Sequence, residues 1–577
     1  MSARNGMTRR RFLIHLGLGS TALLVAACQP TPTPVPTAKP EATKAAATAV
    51  PPTTAPTKAP EATKAPEATK PPAATIVPQG TNLPIVKEPL TFTYWVKFTP
   101  STTLKNYGER TSYIEAEKRT GIHIDFQHGA GAEQFNLMVA SGKYPDMIEY
   151  NWLTAQGGPA KYIKDGVILK LNDLISQHAP NLSKVYADHP DWRKMVNTDD
   201  GVMYCFPQLR GDDVLLVSRG MVIRKDWLSK VGLRTPETID DWHTMLKTFK
   251  EKDPNGNGKA DEAPFTSYYG NNPLGAYNHH AFVGAWGMTM GFYNDKGTVR
   301  FGPVEPGFKE FLKTMAGWYK EGLVDPDFPS MDAKMFDAKW TGSLLGSSLL
   351  ASRSGIGGFL QLMAGKEPAS FDLVGAPWPV LKAGTKPEIG MKYLVFEGVG
   401  MAITTACKRV KEAVQWADYW YGEEGHMLAN FGVEGFTYNM VNGFPTYTDL
   451  IMKNPQGWTV SVAQNRYLMV SGGPFVQDGR YFEQVLEYPQ QKDAVKAFAQ
   501  ASNEKLMPPV TPSADESKRY ATIMNDVNTR FQEAVVKVLT GAQPVESWDQ
   551  VVGQLKQMGI EEAIKIQQAA LERYNRR

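Results

Sequence analysis

Apolar and polar positions alternate from Leu90 to Val96 in the run LTFTYWV and again in Ile122-His123-Ile124-Asp125-Phe126. A period of two reads as β-strand. Between them, Tyr107 to Arg119 is charged and amphipathic and is predicted as a helix stopped by Gly121. A second helix is predicted over Glu133 to Ser141, carrying Phe135, Leu137, Met138 and Ala140, with Gly142 ending it, and a short buried strand begins at Asp146-Met147-Ile148. This β-α-β-α-β order has connections long enough for crossovers, so it predicts a parallel sheet with helices on its faces.

The rhythm breaks at Asp200 to Pro207. Val214 to Ile223 and Tyr393 to Thr404 read as extended runs. Helices are predicted over Arg224 to Val231, over Ile239 to Phe249 with Thr238 as N-cap, and over Lys408 to Tyr421. The C-terminal third reads as mostly helical: Asp515 to Leu539, Ser547 to Met558 and Glu561 to Tyr574, punctuated by Gly541 and Gly559. The fold class is α/β.

The first residues are of another kind. Thr8-Arg9-Arg10-Arg11-Phe12-Leu13-Ile14 is a twin-arginine export pattern, followed by the apolar stretch Leu13 to Ala27 and by Val25-Ala26-Ala27-Cys28, which resembles a lipobox. About 15 apolar residues are short for a membrane span, which takes about 20. Residues 1–28 are therefore expected to be a signal peptide, with Cys28 lipidated and holding the protein on the outer face of the cytoplasmic membrane.

Residues 29–84 are Pro, Thr, Ala, Lys and Glu with few large apolar side chains, and Pro-Glu-Ala-Thr-Lys recurs at Pro40, Pro60 and Pro66. Such a segment buries too little to offset the entropy of ordering. Its prolines favour an extended tether reaching roughly 170 Å at about 3.1 Å per residue. Residues 85–577 are left for two or three cores.

The net charge of +3 conceals a division: residues 1–80 carry nine basic and three acidic side chains, so the folded part is net acidic. No basic run points to nucleic acid. Beyond Cys28 the chain has Cys205 and Cys407 and no C-x-x-C motif. Neither G-x-S-x-G nor H-E-x-x-H occurs, which removes two common hydrolase signatures. A pair of facing carboxylates, as in a secreted glycan-degrading enzyme, is not readable from sequence.

The sharpest motif is Asp253-Pro254-Asn255-Gly256-Asn257-Gly258-Lys259-Ala260-Asp261-Glu262. Oxygen-bearing side chains fall at loop positions 1, 3, 5 and 9, glycine at 6, and the Lys259 carbonyl at 7, the order in which an EF-hand loop presents ligands to Ca²⁺. Position 12 is Pro264, so Glu262 is expected to close the site. The predicted ligands are Asp253, Asn255, Asn257, Lys259, Asp261 and Glu262, and the role of the metal is structural.

Ile223 to Leu228, the segment GLRTPETIDDW and the segment FKEKDPNGNGKADEAPF together resemble the family 1 extracellular solute-binding proteins, and within them the LplA-like lipoproteins. FNLMVASGKYPD, Ile403 to Tyr438 and the ending from Gly541 extend the resemblance over the folded part. It implies a periplasmic-binding-protein-like fold of two α/β lobes closing on a ligand between them, with lobe 1 about 85–210 and 395–450 and lobe 2 about 220–390 with parts of 451–577. The extended runs then serve as crossings. The resemblance also implies a monomer that changes nothing in its ligand and delivers it to an ABC permease. Alginate-binding relatives hold calcium in a similar loop.

A carbohydrate is the expected ligand, since a sugar ring takes an aromatic plane on its C–H face and hydrogen bonds at its rim. Candidate residues are Trp95, Trp152, Tyr204, Trp286, Trp378 and Glu434, with Asp146 and Arg224 as further polar candidates. Trp227, Trp242, Trp416 and Trp548 sit at apolar helix positions and read as core. Rival readings are a peptide-binding protein and a receptor reporting ligand occupancy to a membrane sensor.

Overall fold

The computed structural model describes residues 83–577 apart from 99, 102, 470 and 471. The expected signal peptide, Cys28 and the linker up to residue 82 lie outside the described residues. Among the described residues no helix is long and apolar enough to cross a membrane.

Ten strands build the framework: β1 (Leu90–Lys97), β2 (Ile122–Gly129), β3 (Met147–Asn151), β4 (Phe206–Pro207), β5 (Leu209–Arg210), β6 (Arg219–Arg224), β7 (Ser347–Ala351), β8 (Leu373–Gly375), β9 (Val399–Ile403) and β10 (Val476–Gln477). The first sheet runs β2-β1-β3-β9-β4. β1 is parallel to β2 and β3, as the crossover pattern predicted, and β9 is antiparallel to both β3 and β4. In β2 burial follows the alternation: Ile122, Ile124 and Phe126 face the core while His123, Asp125 and Gln127 are exposed. β1 lies inside the sheet, and Tyr94, Trp95 and Val96 in succession are buried, as expected of a strand covered on both faces. Phe135, from the helix Ala132–Ser141, stacks on Tyr150 of β3 with centroids 3.7 Å apart. Trp416, from the helix Val410–Tyr419, meets Tyr94 edge-on.

The second sheet, β8-β6-β7, is antiparallel and belongs to another core. Its helices include Ile239–Glu251, Pro306–Lys320, Ala514–Leu539 and Trp548–Gln557. Thr238 caps the first with a reciprocal Asp241 contact, and Ser513 caps the long third one with Glu516. Phe308 stacks on Trp548 at 5.3 Å, joining the C-terminal helices to this lobe. A smaller apolar cluster, including Phe431, Tyr447, Leu468 and Tyr481, is built mainly from residues after 430.

The two lobes are linked through short extended segments. β5 pairs in parallel with β10, and the Arg210 N–H donates to the Val395 carbonyl at 3.0 Å. The expected extended run from Val214 is corrected. Asp213–Leu216 is one helical turn, and the strand begins only at Arg219. Hydrophobicity alone does not separate a short buried helix from a strand. Here the turn delivers Leu215 to the cluster after 430 and Leu216 to a cluster with Trp340 and Phe359. In the second run only Val399–Ile403 is strand.

Candidate functional site

Where the lobes meet, charged and aromatic side chains form a continuous row. Arg210 ends β5, makes an ion pair with Glu397 at 2.8 Å and donates to the Leu394 carbonyl at 3.2 Å. Its guanidinium lies 4.2 Å from the centre of the Tyr393 ring. Arg219, at the start of β6, lies 4.6 Å from the same ring and 4.8 Å from Tyr269. Tyr269 meets His279 edge-on at 5.0 Å. Tyr393 is thus shared by two guanidinium groups, a favourable cation–π geometry for each.

Arg210 has a carboxylate partner. The side chain of Arg219 has no hydrogen bond or ion pair among the described residues, and its Nε is buried without an acceptor. Burial lowers its pKa, opposed by Tyr269 and Glu397 and reinforced by Arg210. Glu397 is held by its backbone: Asn151 at the end of β3 donates to its carbonyl at 2.9 Å. The next residue, Gly398, has φ of +96°, and a Cβ there would stand 2.4 Å from the Asn151 oxygen. Only glycine fits that approach. The row therefore sits beside the carboxyl end of β3, where open α/β sheets place ligands.

The helix Val460–Tyr467 braces the two lobes. Arg353, just after β7, donates to Gln464 at 2.5 Å and Ser461 at 3.2 Å. The neighbouring Asn465 accepts from Arg110 at 2.6 Å, and Arg466 donates to the Glu109 carbonyl. Beyond this helix, the Gly472 N–H donates to Gln208 at 3.2 Å, and the Gly473 N–H donates to Glu149. Glu149 is buried; desolvation pushes its pKa up, against Gly473, Tyr94 and Arg110.

The loop from Asp253 folds back on itself. Asp253 accepts from the N–H groups of Gly256, Asn257 and Gly258 at 2.9–3.1 Å. Asn255 and Asn257 each accept from the N–H two residues on, and both amides donate to Asp261. Gly256 and Gly258 have φ of +76° and +75°, conformations the turn requires. Both carboxylate oxygens of Glu262 are buried with no hydrogen-bond partner. Burial raises the Glu262 pKa above the usual range, opposed by the nearby backbone N–H groups of Glu262 and Asn255 and reinforced by the Asp253 and Asp261 charges. No cluster of three or more His, Cys, Asp or Glu side chains is gathered for a metal among the described residues. Beside the carboxylates of Asp253, Asp261 and Glu262, the loop's oxygens are amides and carbonyls, which calcium also takes as ligands.

The pattern of the bacterial extracellular solute-binding proteins matches residues 98–427, more than half of the chain. The chain belongs to this family. The fructooligosaccharide ABC transporter substrate-binding protein FusA of Streptococcus pneumoniae serotype 4 is 27% identical over 497 residues, covering 82% of this chain and 88% of that protein. The crystal structure of the alginate-binding protein AlgQ2 without calcium ion shares 27% identity with a TM-score of 0.69, covering 85% of this chain and 99% of the other. An EF-hand mutant of the S. pneumoniae FusA protein in complex with fructo-nystose shares 24% identity with a TM-score of 0.66, over 84% and 99% of the two chains, and supports the fold. Solute-binding proteins are transport components, so this one is a binder and not an enzyme, and it works outside the cytoplasm.

Within this solute-binding protein, four of the expected aromatic residues are buried. Trp95 packs on Phe135 and Tyr150 and covers Gly129. Trp152 is fully buried and donates to the Gly400 carbonyl at 2.8 Å. Trp378 donates to the Phe498 carbonyl at 3.0 Å. Tyr204 is buried with its hydroxyl unpartnered. These rings fill the lobe interiors, and none presents an open stacking face in this structure. Trp286 is half-buried against Phe311, and Glu434 is exposed. Asp146 accepts from the Thr93 N–H and hydroxyl at 2.9 and 2.7 Å, tying β3 to β1. Arg224 is fully buried in a two-pronged pair with Asp226. Cys205 and Cys407 are free and buried.

The structure adds Arg210, Arg219, Tyr269, Tyr393 and Glu397, which were not singled out. Four of them lie in or beside the crossing runs. The available signal was a charge set into an otherwise apolar crossing, as in Val217-Ser218-Arg219-Gly220-Met221.

Proposed function

We propose that this protein is the lipid-anchored receptor of an ABC importer, taking an oligosaccharide between its lobes and delivering it to a membrane permease. The observation that carries this is the row Glu397, Arg210, Tyr393, Arg219 and Tyr269 where the lobes meet. Aromatic faces and charged hydrogen-bond donors side by side suit sugar rings and their rims. The names of the relatives, which bind fructooligosaccharide and alginate, support a saccharide. The twin-arginine pattern, Cys28 and the proline-rich tether support anchoring at the cell surface, with the binding domain held away from the lipid.

We assign Asp253, Asn255, Asn257, Lys259, Asp261 and Glu262 to a structural calcium ion. The unpartnered Glu262 oxygens fit the assignment, because a buried carboxylate without a donor is costly unless a cation compensates it. The ion would neutralise the three carboxylates and fix the loop that follows the helix Ile239–Glu251. That AlgQ2 has been solved in a form without calcium ion, and FusA as an EF-hand mutant, supports the same reading.

A thermal-shift screen of the full chain against neutral and acidic oligosaccharides and short peptides tests the ligand class. A ligand that binds only the folded state raises the melting temperature by mass action. Stabilisation by a saccharide is expected. A response confined to peptides would replace the saccharide.

A further inference from the structure

Resting on the saccharide reading, we propose that the ligand is an acidic oligosaccharide and that Arg219 recognises its carboxylate. The two guanidinium groups of the interlobe row are not equivalent. Arg210 is compensated by Glu397 at 2.8 Å. Arg219 is set against two tyrosine rings at 4.6 and 4.8 Å, with its Nε buried, and no side chain among the described residues accepts from it. The groups around it are Tyr269, Tyr393, Arg210 and Glu397, with His279 beyond Tyr269, and the one carboxylate among them is already paired.

A half-buried cation without a partner is unfavourable, and closing a cleft over it removes more water and raises that cost. A neutral sugar can accept hydrogen bonds from Arg219 but leaves its charge uncompensated. A uronate supplies a planar carboxylate that matches the fork of a guanidinium with two parallel N–H donors. The tyrosines keep the guanidinium in place by cation–π contact, so less freedom is lost when the carboxylate arrives. Across the lobe junction, Arg353 is by contrast already engaged by Gln464 and Ser461, and Lys392 beside Tyr393 is exposed to solvent, which leaves Arg219 as the half-buried cation of the row without an acceptor.

The test is calorimetric titration of the full chain with tri- and tetrasaccharides of galacturonic, mannuronic and glucuronic acid, each against its carboxyl-reduced neutral counterpart, with kestose as a further neutral probe. At least one acidic oligosaccharide is expected to bind ten-fold or more tightly than its reduced form. Arg219→Gln should abolish that difference and Arg219→Lys should keep part of it. Equal or tighter binding of the neutral forms overturns the carboxylate assignment and leaves the saccharide reading standing, as does an acidic preference that survives in Arg219→Gln. Absence of binding by every saccharide, acidic and neutral, overturns both. The comparison within the unaltered chain stands even if a variant fails to fold.

Discussion

The two ends of β6 carry the same residue type in opposite circumstances. At its C-terminal end, Arg224 is fully buried and fully engaged: two donors go to Asp226 at 2.8 and 2.6 Å, one goes to Ser343 at 2.7 Å, and Trp227 and Phe371 lie at 4.8 and 4.4 Å. At its N-terminal end, Arg219 has aromatic neighbours and no acceptor. One strand, five residues apart in the chain, thus offers a cation that holds the fold together and a cation that waits for a partner. Glu262 repeats the second condition with the opposite charge. The paired charge reports on architecture, and the two unpaired ones are where we place a ligand and an ion.

The largest expected effect comes from breaking the paired end. Arg224→Met leaves Asp226, only 10% exposed, without its cation. Urea unfolding should show a loss of about 3–5 kcal/mol, the scale for removing one partner of a buried pair. The double variant Arg224→Met, Asp226→Leu should recover most of it. A loss below about 1 kcal/mol in the single variant would erase the distinction drawn here.

Calcium should act in the opposite sense on the unpaired acid. At a concentration near 1,000 times its Kd it stabilises by about 4 kcal/mol. EGTA should lower the melting temperature of the full chain, and Glu262→Gln should remove most of that response. A melting curve indifferent to both calcium and EGTA would contradict the loop assignment.

A smaller effect is expected at a paired acid beside the crossing. Asp478 bonds His426 at 2.9 Å and Arg480 at 2.5–3.0 Å. Desolvation pushes its carboxyl up, but these bonds outweigh it and hold the pKa well below the usual range. A depressed carboxylate adds stability that is present above its unfolded pKa of about 3.9 and is lost as pH falls through the folded value. The stability difference between the wild type and Asp478→Asn should therefore be largest above pH 5 and shrink toward pH 2. Constancy of that difference across the range would show that the pairing carries no stability. The smallest effect belongs to Arg219→Gln without ligand. No protein partner is left behind, so unfolding should change by less than about 1 kcal/mol. A loss as large as that of Arg224→Met would make Arg219 structural.

The parts of the fold legible in the sequence were those with a clean period. The alternation in LTFTYWV and IHIDF gave β1 and β2, and Thr238 before an amphipathic run gave the cap of Ile239–Glu251. The turn at Asp213–Leu216 was not legible, because the four apolar residues Val214 to Val217 satisfy either element. Of the aromatic candidates read from the sequence, Trp95, Trp152, Tyr204 and Trp378 are buried in the structure. Trp152 and Trp378 follow strand ends as a stacking platform would, yet each indole N–H bonds a buried carbonyl and the rings fill the cores. The interlobe row depends on residues some 190 positions apart, such as Arg210 and Glu397, which pattern along the chain cannot pair. The loop motif from Asp253 is legible because the hydrogen bonds among its own residues are local, spanning six residues or fewer, and among the described residues only Lys230 reaches in from outside, to the Pro254 carbonyl.

The most direct measurement is a crystal structure of the full chain with the tightest-binding saccharide from the titrations. The sugar is expected between the lobes, chemically intact, with an oxygen within hydrogen-bond distance of the Arg219 guanidinium and a ring against Tyr269 or Tyr393. A saccharide bound elsewhere on the surface, with Arg219 still lacking an acceptor, would contradict the account.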